Sequence, residues 1–260
     1  MESIEYTKNV LNGSVNAPHD RIYYASNENL SSLLPSINMK DKKVLSVLAS
    51  SDQLFHIYSQ NPESVDTFDI NLLTRYYYYL RKWAILYEDE YYFDVFNNEK
   101  IYNLLRKVKI QSEDEMDAFA YWNEFIRTFP PCLTNELFYR SSNPFKNKIN
   151  DLKRLKEALL KYKFRFINMD ISSDIVSDKY DVIVISNILE YYACYGDKMC
   201  LARDNLFAML NSDGKILSSY YMNSSCNPTE KFHFATVFDR RELYDDNYGN
   251  IGCVYTKKRC

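Results

Sequence analysis

The sequence predicts an α/β fold: a doubly wound, mostly parallel, seven-stranded sheet with a helical insertion between strands two and three. Two observations carry this. Short, nearly continuous apolar runs such as KKVLSVLAS and YDVIVISNIL alternate with helical patterns, as expected of strands covered on both faces. At the carboxyl end, two strand-like runs, HFATVF and CVYTK, follow the fifth strand with no helix between them. With 260 residues, 46% hydrophobic, the chain can build a sizeable core, so disordered and fibrous classes are excluded.

In chain order, residues 1–27 show no clear periodicity and read as an irregular lead-in within an N-terminal region of residues 1–40. Asn27 to Leu34 reads as a capped helix stopped by Pro35. KKVLSVLAS (42–50) is the first strand, and residues 52–60 are helical. ESVDTFDIN (63–71) is the second strand, ending in an acid. Leu73, Tyr76, Tyr77, Leu80 and Ala84 then recur at helical spacing, which makes 72–88 a long amphipathic helix. Between 91 and 147, aromatic residues in charged surroundings predict two or three inserted helices, ended by Pro130-Pro131 and a loop. Leu152, Leu155 and Leu159 mark a helix over 149–162. FRFINMD is the third strand, YDVIVISNIL (180–189) the fourth, 197–211 a helix terminated at Asp213-Gly214, and KILSSYY the fifth strand. No linker splits the pattern, so residues 1–260 are expected to form one domain.

Composition removes several functions. Glycine numbers five, roughly a third of ordinary usage, and no GxG or GK[ST] occurs. A P-loop and a GxGxxG dinucleotide turn are therefore absent. Six cysteines without a CxxC, and three histidines, give no metal-site spacing, so reduced, mostly buried thiols and no metal are expected. No GxSxG elbow or HExxH is present. A net charge of -3 provides no global basic field, and the basic stretch from Lys146 to Lys163 is read as the solvated face of a helix, so nucleic acid is not the expected partner. With neither an 18-residue apolar run nor a signal-peptide pattern near the amino end, the expectation is a cytoplasmic protein without a transmembrane segment.

In such a sheet, ligands bind beyond the carboxyl ends of the strands, where strand order reverses. After strand one, Ser50, Ser51 and Asp52 open a helix. They read either as N-caps or as a cradle for a ligand carboxylate, with Asp52 accepting from an ammonium group. After strand two, Asp69 lies at the separation expected of an acid that binds ribose hydroxyls, with capping of the helix near Asn71 as the alternative. Asp170 after strand three can accept from an adenine amino group or cap the following turn. Ser186 and Asn187 after strand four are candidates to face the reacting carbon, and Glu190, Tyr191 and Tyr192 are candidate rim residues. Ser186, Asn187 and Tyr191 are the catalytic candidates.

Five βα units and a helix-free end resemble the class I S-adenosylmethionine (SAM) methyltransferase fold. More narrowly, KKVLSVLASSDQLFHIYSQNPESVDTFDINLLTRYYYYLRKWAI, with its small-residue turn after VL and its Asp69-Ile70-Asn71 step, resembles a short branch of proteins similar to SAM:diacylglycerol 3-amino-3-carboxypropyltransferase. A Tyr-rich helical stretch reaching AFAYWNEF and the Ser-Asn end of strand four add to the likeness, which spans about residues 20–220. The resemblance implies SAM as cofactor, bound through Ser50, Ser51, Asp52, Asp69 and Asn71. It also implies transfer of a methyl or aminocarboxypropyl group to a small-molecule or lipid-like acceptor. The alternative is a protein that keeps the fold as a binding or scaffold module. Where that turn usually carries glycines, this chain has Leu48, Ala49, Ser50 and Ser51. Strand alternation puts Val44, Ser46 and Leu48 on one face, so Leu48 is expected to be buried behind the sheet, outside the ligand site.

Overall fold

The structure, a computed structural model, describes residues 2–14, 21–139, 147–192, 196–220, 236–245 and 251–258. Seven strands form its main sheet: β1 (Lys43–Val47), β2 (Ser64–Asp69), β3 (Phe166–Asn168), β4 (Tyr180–Ser186), β5 (Leu210–Tyr220), β6 (Phe238–Asp245) and β7 (Ile251–Lys257). Their spatial order is β3-β2-β1-β4-β5-β7-β6. The first five are parallel, while β7 runs antiparallel between β5 and β6. This is the seven-stranded doubly wound arrangement the sequence predicts. Strand order reverses between β1 and β4, so a crevice opens at their carboxyl ends.

The helices are α1 (Glu2–Leu11), α2 (Leu30–Leu33), α3 (Asp52–Tyr58), α4 (Leu73–Glu88), α5 (Asn98–Leu105), α6 (Glu113–Thr128), α7 (Pro131–Leu137), α8 (Leu152–Lys161), α9 (Ile188–Tyr192) and α10 (Gly196–Met209). Helices α5 to α7 occupy the stretch predicted as an insertion between strands two and three. The pleat of β1 sorts its side chains into two cores. Val44 and Leu48 join the layer containing α3, α4 and the inserted helices. Leu45 and Val47 join the layer beneath α10. Leu48 is fully buried in the first of these layers, as its place in the alternation implies.

Three expectations need correction. The lead-in is not irregular throughout: α1 packs on α4 and on the insertion, with Ser3 Oγ 2.6 Å from Tyr76 Oη of α4 and Thr7 Oγ1 3.1 Å from Tyr121 Oη of α6. Its inward face carries Ser3 and Thr7 beside Ile4, so no apolar period was visible. The helix expected to run to Asp213-Gly214 ends at Met209, and Gly214 lies inside β5. A Cβ at Gly214 would stand 2.7 Å from the Leu210 side chain. The sequence puts the sixth strand on HFATVF, whose first three residues lie outside the described residues. The strand itself is FDRRELYD, a charged edge strand that apolar patterning does not detect. Of the cysteines described, Cys253 is buried, Cys200 partly so and Cys132 exposed; those at 194, 226 and 260 lie outside the described residues.

Candidate functional site

A cavity of about 180 Å³ opens at the carboxyl ends of β3, β2, β1 and β4. Its lining includes Asp69 and Asn71 after β2, Asp170 after β3, and Ser186 and Asn187 after β4, so five sequence-predicted residues converge there. Phe68, Ile70, Met169 and Ile171 make its apolar wall, and Arg21 and Lys198 stand at its mouth. A larger groove of about 610 Å³ flanks the amino end of β2. Both of its arginines are already paired, Arg75 with Asp117 at 2.6 Å and Arg165 with Asp66 at 2.8 Å, and it lies away from the strand-order switch, so the strand-end cavity is the better candidate.

Asp69 is held by backbone donors. Ala49 N donates to its Oδ2 at 3.0 Å and Asn71 N to its Oδ1 at 2.9 Å. Ile70 N bonds to the same carboxylate, so three backbone donors hold it and the remaining acceptor capacity suits a hydroxyl. Burial pushes its pKa up to about 6, against the opposing hydrogen bonds from Asn71 and Ala49. Asn71 Oδ1 accepts from Leu73 N at 2.9 Å, so Asn71 rather than Asp69 caps the start of α4. Asp170 caps its own turn, accepting from Ser172 N and Ser172 Oγ at 2.8 Å each and from Tyr192 Oη. Burial alone would raise the Asp170 pKa, but the bonds from Tyr192 and Ser172 and the nearby Lys198 outweigh it and hold the group below its ordinary value. Asp170 is thus a turn cap that also lines the cavity.

Ser186 takes a left-handed φ of 55° at the end of β4. Its Oγ donates to Glu28 Oε1 at 2.6 Å, and Ser218 Oγ donates to its carbonyl at 2.9 Å. Asn187 follows it on the cavity wall, and Tyr192 is at the rim. The side chains of Glu190 and Tyr191 lie outside the described residues.

The first turn is arranged differently from expectation. Ala49 and Ser51 adopt φ of 42° and 71°, the left-handed region that glycine occupies without strain. The backbone therefore makes a glycine-type turn without glycine. Ser50, Ser51 and Asp52 do not line the cavity; all three are fully buried. Asp52 points inward to Arg81, whose Nη1 lies 2.9 Å from its Oδ1. Ser26 N and Ser50 Oγ donate to Asp52 Oδ2 at 2.7 and 2.9 Å. The Ser50 carbonyl accepts from Arg81 Nη1. A buried cation has drawn the acid away from the ligand side, because an uncompensated guanidinium in the core is far costlier than an unoccupied turn.

Sequence reasoning missed Arg81 and Glu28. Arg81 was detectable: it lies four residues after Tyr77 on the apolar stripe of α4, a position no solvated arginine occupies. It sits 4.9 Å from the rings of Phe55 and Tyr91. Glu28 carried no signal, since Asn27-Glu28-Asn29 reads as a helix cap. Asn29 does cap α2, while Glu28 turns inward, 1% exposed.

No family model matches the chain, and no curated protein matches it. Solved structures align with it along almost its whole length. A TehB-like SAM-dependent methyltransferase from Corynebacterium glutamicum aligns over 99% of this chain and 97% of its own, at 12% identity and TM-score 0.47. N-methyltransferase NodS from Bradyrhizobium japonicum, in complex with S-adenosylhomocysteine (SAH), aligns over 98% and 99%, at 9% identity and TM-score 0.46. The glycopeptide N-methyltransferase MtfA complexed with SAM aligns over 94% and 100%, at 8% identity and TM-score 0.47. The strand order β3-β2-β1-β4-β5-β7-β6, with β7 antiparallel, is that of the class I methyltransferase fold. None of these neighbours is an aminocarboxypropyltransferase. Among the described residues, no helix is long and apolar enough to cross a membrane.

Proposed function

We propose that this chain is a SAM-dependent transferase. The observation that carries the reading is Asp69, a backbone-held carboxylate with free acceptor capacity in a cavity at the strand-order switch. The nucleoside half of SAM fits the residues present. Asp69 would accept from the ribose hydroxyls, and Phe68, Ile70, Met169 and Ile171 would enclose the base beside Asp170. The amino-acid half meets no anchor on the first turn, since Ser50 and Asp52 are committed to Arg81. Of the cations lining the cavity, Lys198 lies 3.9 Å from the Asp170 carboxylate at the base-binding end, so Arg21 is the one a ligand carboxylate would meet.

When bound, SAM supplies an electrophilic carbon on a sulfonium. The chain's part is to hold the nucleoside, present Ser186 and Asn187 at the end of β4, and exclude water. The group moved is methyl or 3-amino-3-carboxypropyl, and the acceptor is a small or lipid-like molecule. Product analysis separates the two: methyl transfer leaves SAH, and aminocarboxypropyl transfer leaves methylthioadenosine. A thermal-shift titration with SAH tests the binding itself. The wild-type chain should be stabilised and Asp69→Ala should not; equal shifts in both proteins would refute the site.

One observation favours a second reading, a non-catalytic binding or scaffold module. The cavity is smaller than the ~300–1,000 Å³ usual for ligand sites, at about 180 Å³. A chain that binds SAH but never yields SAH or methylthioadenosine from SAM would support it.

A further inference from the structure

Glu28 lies on the segment before α2, yet its carboxylate is buried behind the cavity wall. Ser186 Oγ donates to Oε1 at 2.6 Å, and Ser219 Oγ donates to the same oxygen. Gln53 Nε2 donates to Oε2 at 2.7 Å and Ser26 Oγ at 3.4 Å. Four neutral side chains therefore aim hydrogen-bond donors at one carboxylate. Ser186 and Ser219 come from the adjacent carboxyl ends of β4 and β5, and Ser186 itself faces the cavity. Such a site is built to carry a negative charge, yet burial lifts the pKa of Glu28 against these four bonds. A buried carboxylate held by neutral donors is incompletely compensated, and a cation arriving at the cavity wall would complete it.

The cavity runs from the end of β3, across Asp69, to Ser186. A nucleoside with its base near Asp170 and its ribose on Asp69 directs its 5′ substituent toward β1 and β4. We propose that Glu28, acting through the wall residue Ser186, is the charge that distinguishes the cationic sulfonium of SAM from the neutral thioether of SAH. This rests on the SAM-binding reading and adds a specificity-determining residue to it. The reaction's substrate is then held more tightly than its spent product, which favours exchange of SAH for fresh SAM.

Other charged groups near Glu28 do not provide this discrimination. From α3, Asp52 is paired with Arg81 of α4, and His56 Nε2 is bonded to the carbonyl of Asn147, which also ties down the Glu28 backbone. Asp69 faces the cavity from β2 and meets the ribose in SAM and SAH alike, so its effect cancels in a comparison of the two ligands. Asp170 and Lys198 stand at the opposite, base-binding end.

The sign follows from the charge. A sulfonium lowers the pKa of a nearby carboxyl group, so SAM binding releases a proton from Glu28 to buffer wherever that group is protonated in the free protein. SAH binding does not. Calorimetric titration of the wild-type chain with SAM and with SAH, in phosphate and in Tris between pH 5 and 8, counts the protons. The expected result is extra proton release with SAM, and a SAM-over-SAH preference that grows with pH. In Glu28→Gln the extra release should vanish and the preference should fall by on the order of 10-fold or more. SAH affinity should stay within a few-fold, because Gln53 Oε1, without a partner among the described residues, can accept from the new amide. Equal proton counts and a pH-independent preference in the wild-type chain, together with the same preference in Glu28→Gln, would overturn the proposal. An unchanged preference in Glu28→Gln would also overturn it. Binding of neither ligand to the wild-type chain would instead overturn the SAM-site reading beneath it.

Discussion

Replacing Arg81 by methionine tests what shapes the first turn. The guanidinium is fully buried. It lies 2.9 Å from Asp52, donates to the Ser50 carbonyl, and donates through Nη2 to the Tyr91 carbonyl at 3.0 Å. Methionine keeps the packing against Phe55 and Tyr91 but strands the Asp52 carboxylate among neutral groups, with Ser26 N and Ser50 Oγ still donating to it. Removing one partner of a buried pair costs about 3–5 kcal/mol, a large part of a typical total of ~5–15 kcal/mol. Removing the charge as well, in Arg81→Met with Asp52→Asn, should recover more than half of that loss, because the penalty lies in the stranded charge. Urea unfolding at pH 7 of the wild-type, both single variants and the double variant gives the coupling energy directly. A single-variant cost below about 1 kcal/mol, or a double variant as unstable as the sum of the singles, would refute the assignment of the turn to this ion pair.

Three further predictions follow from the same geometry. Ser51→Gly should stabilise the chain by about 1 kcal/mol in thermal unfolding, since it relieves a φ of 71° and removes a buried Oγ without a partner among the described residues; destabilisation would show the side chain to be needed. Asp69 makes stability and binding move oppositely with pH. Its pKa is raised from 3.8 to about 6, so its contribution to stability is complete below its unfolded pKa and is lost as pH rises through about 6, while an ionised acceptor for ribose appears over the same range. Denaturant titrations should show this loss, of roughly 1–3 kcal/mol, shrink in Asp69→Asn, and SAH affinity should rise across the window in the wild-type chain only. Leu48→Gly should leave SAH binding unimproved, because Leu48 is buried away from the cavity, and should cost about 3 kcal/mol or more in stability through the lost core packing. Tighter SAH binding would show instead that Leu48 narrows the site.

The sheet was legible because its strands are apolar on both faces and end in polar residues. The run after β4, Ser186-Asn187, marks the cavity in sequence and in space. Asp69 and Asp170 were legible for a related reason: each is an acid at or just past the carboxyl end of a strand. Patterning failed where burial is polar. Helix α1 packs through Ser3 and Thr7, and β6 is a charged edge. The inward turn of Asp52 depends on Arg81, 29 positions away, and the placement of Glu28 depends on Ser186 and Ser219, still more distant. Such long-range pairing leaves no local period. The glycine-poor first turn was visible, but its consequence was not. Ala49 and Ser51 adopt the glycine conformation themselves, held by Arg81 on one side and Asp69 on the other.

The central claim is that the cavity at the ends of β1 to β4 holds SAM through Asp69. Isothermal calorimetry of the purified chain with SAM and SAH, repeated on Asp69→Ala, tests it most directly. The account predicts saturable binding of both ligands by the wild-type chain, weakened by about 1–3 kcal/mol when the carboxylate is removed. Absence of both heat and thermal shift at millimolar ligand, or binding untouched by Asp69→Ala, would contradict it.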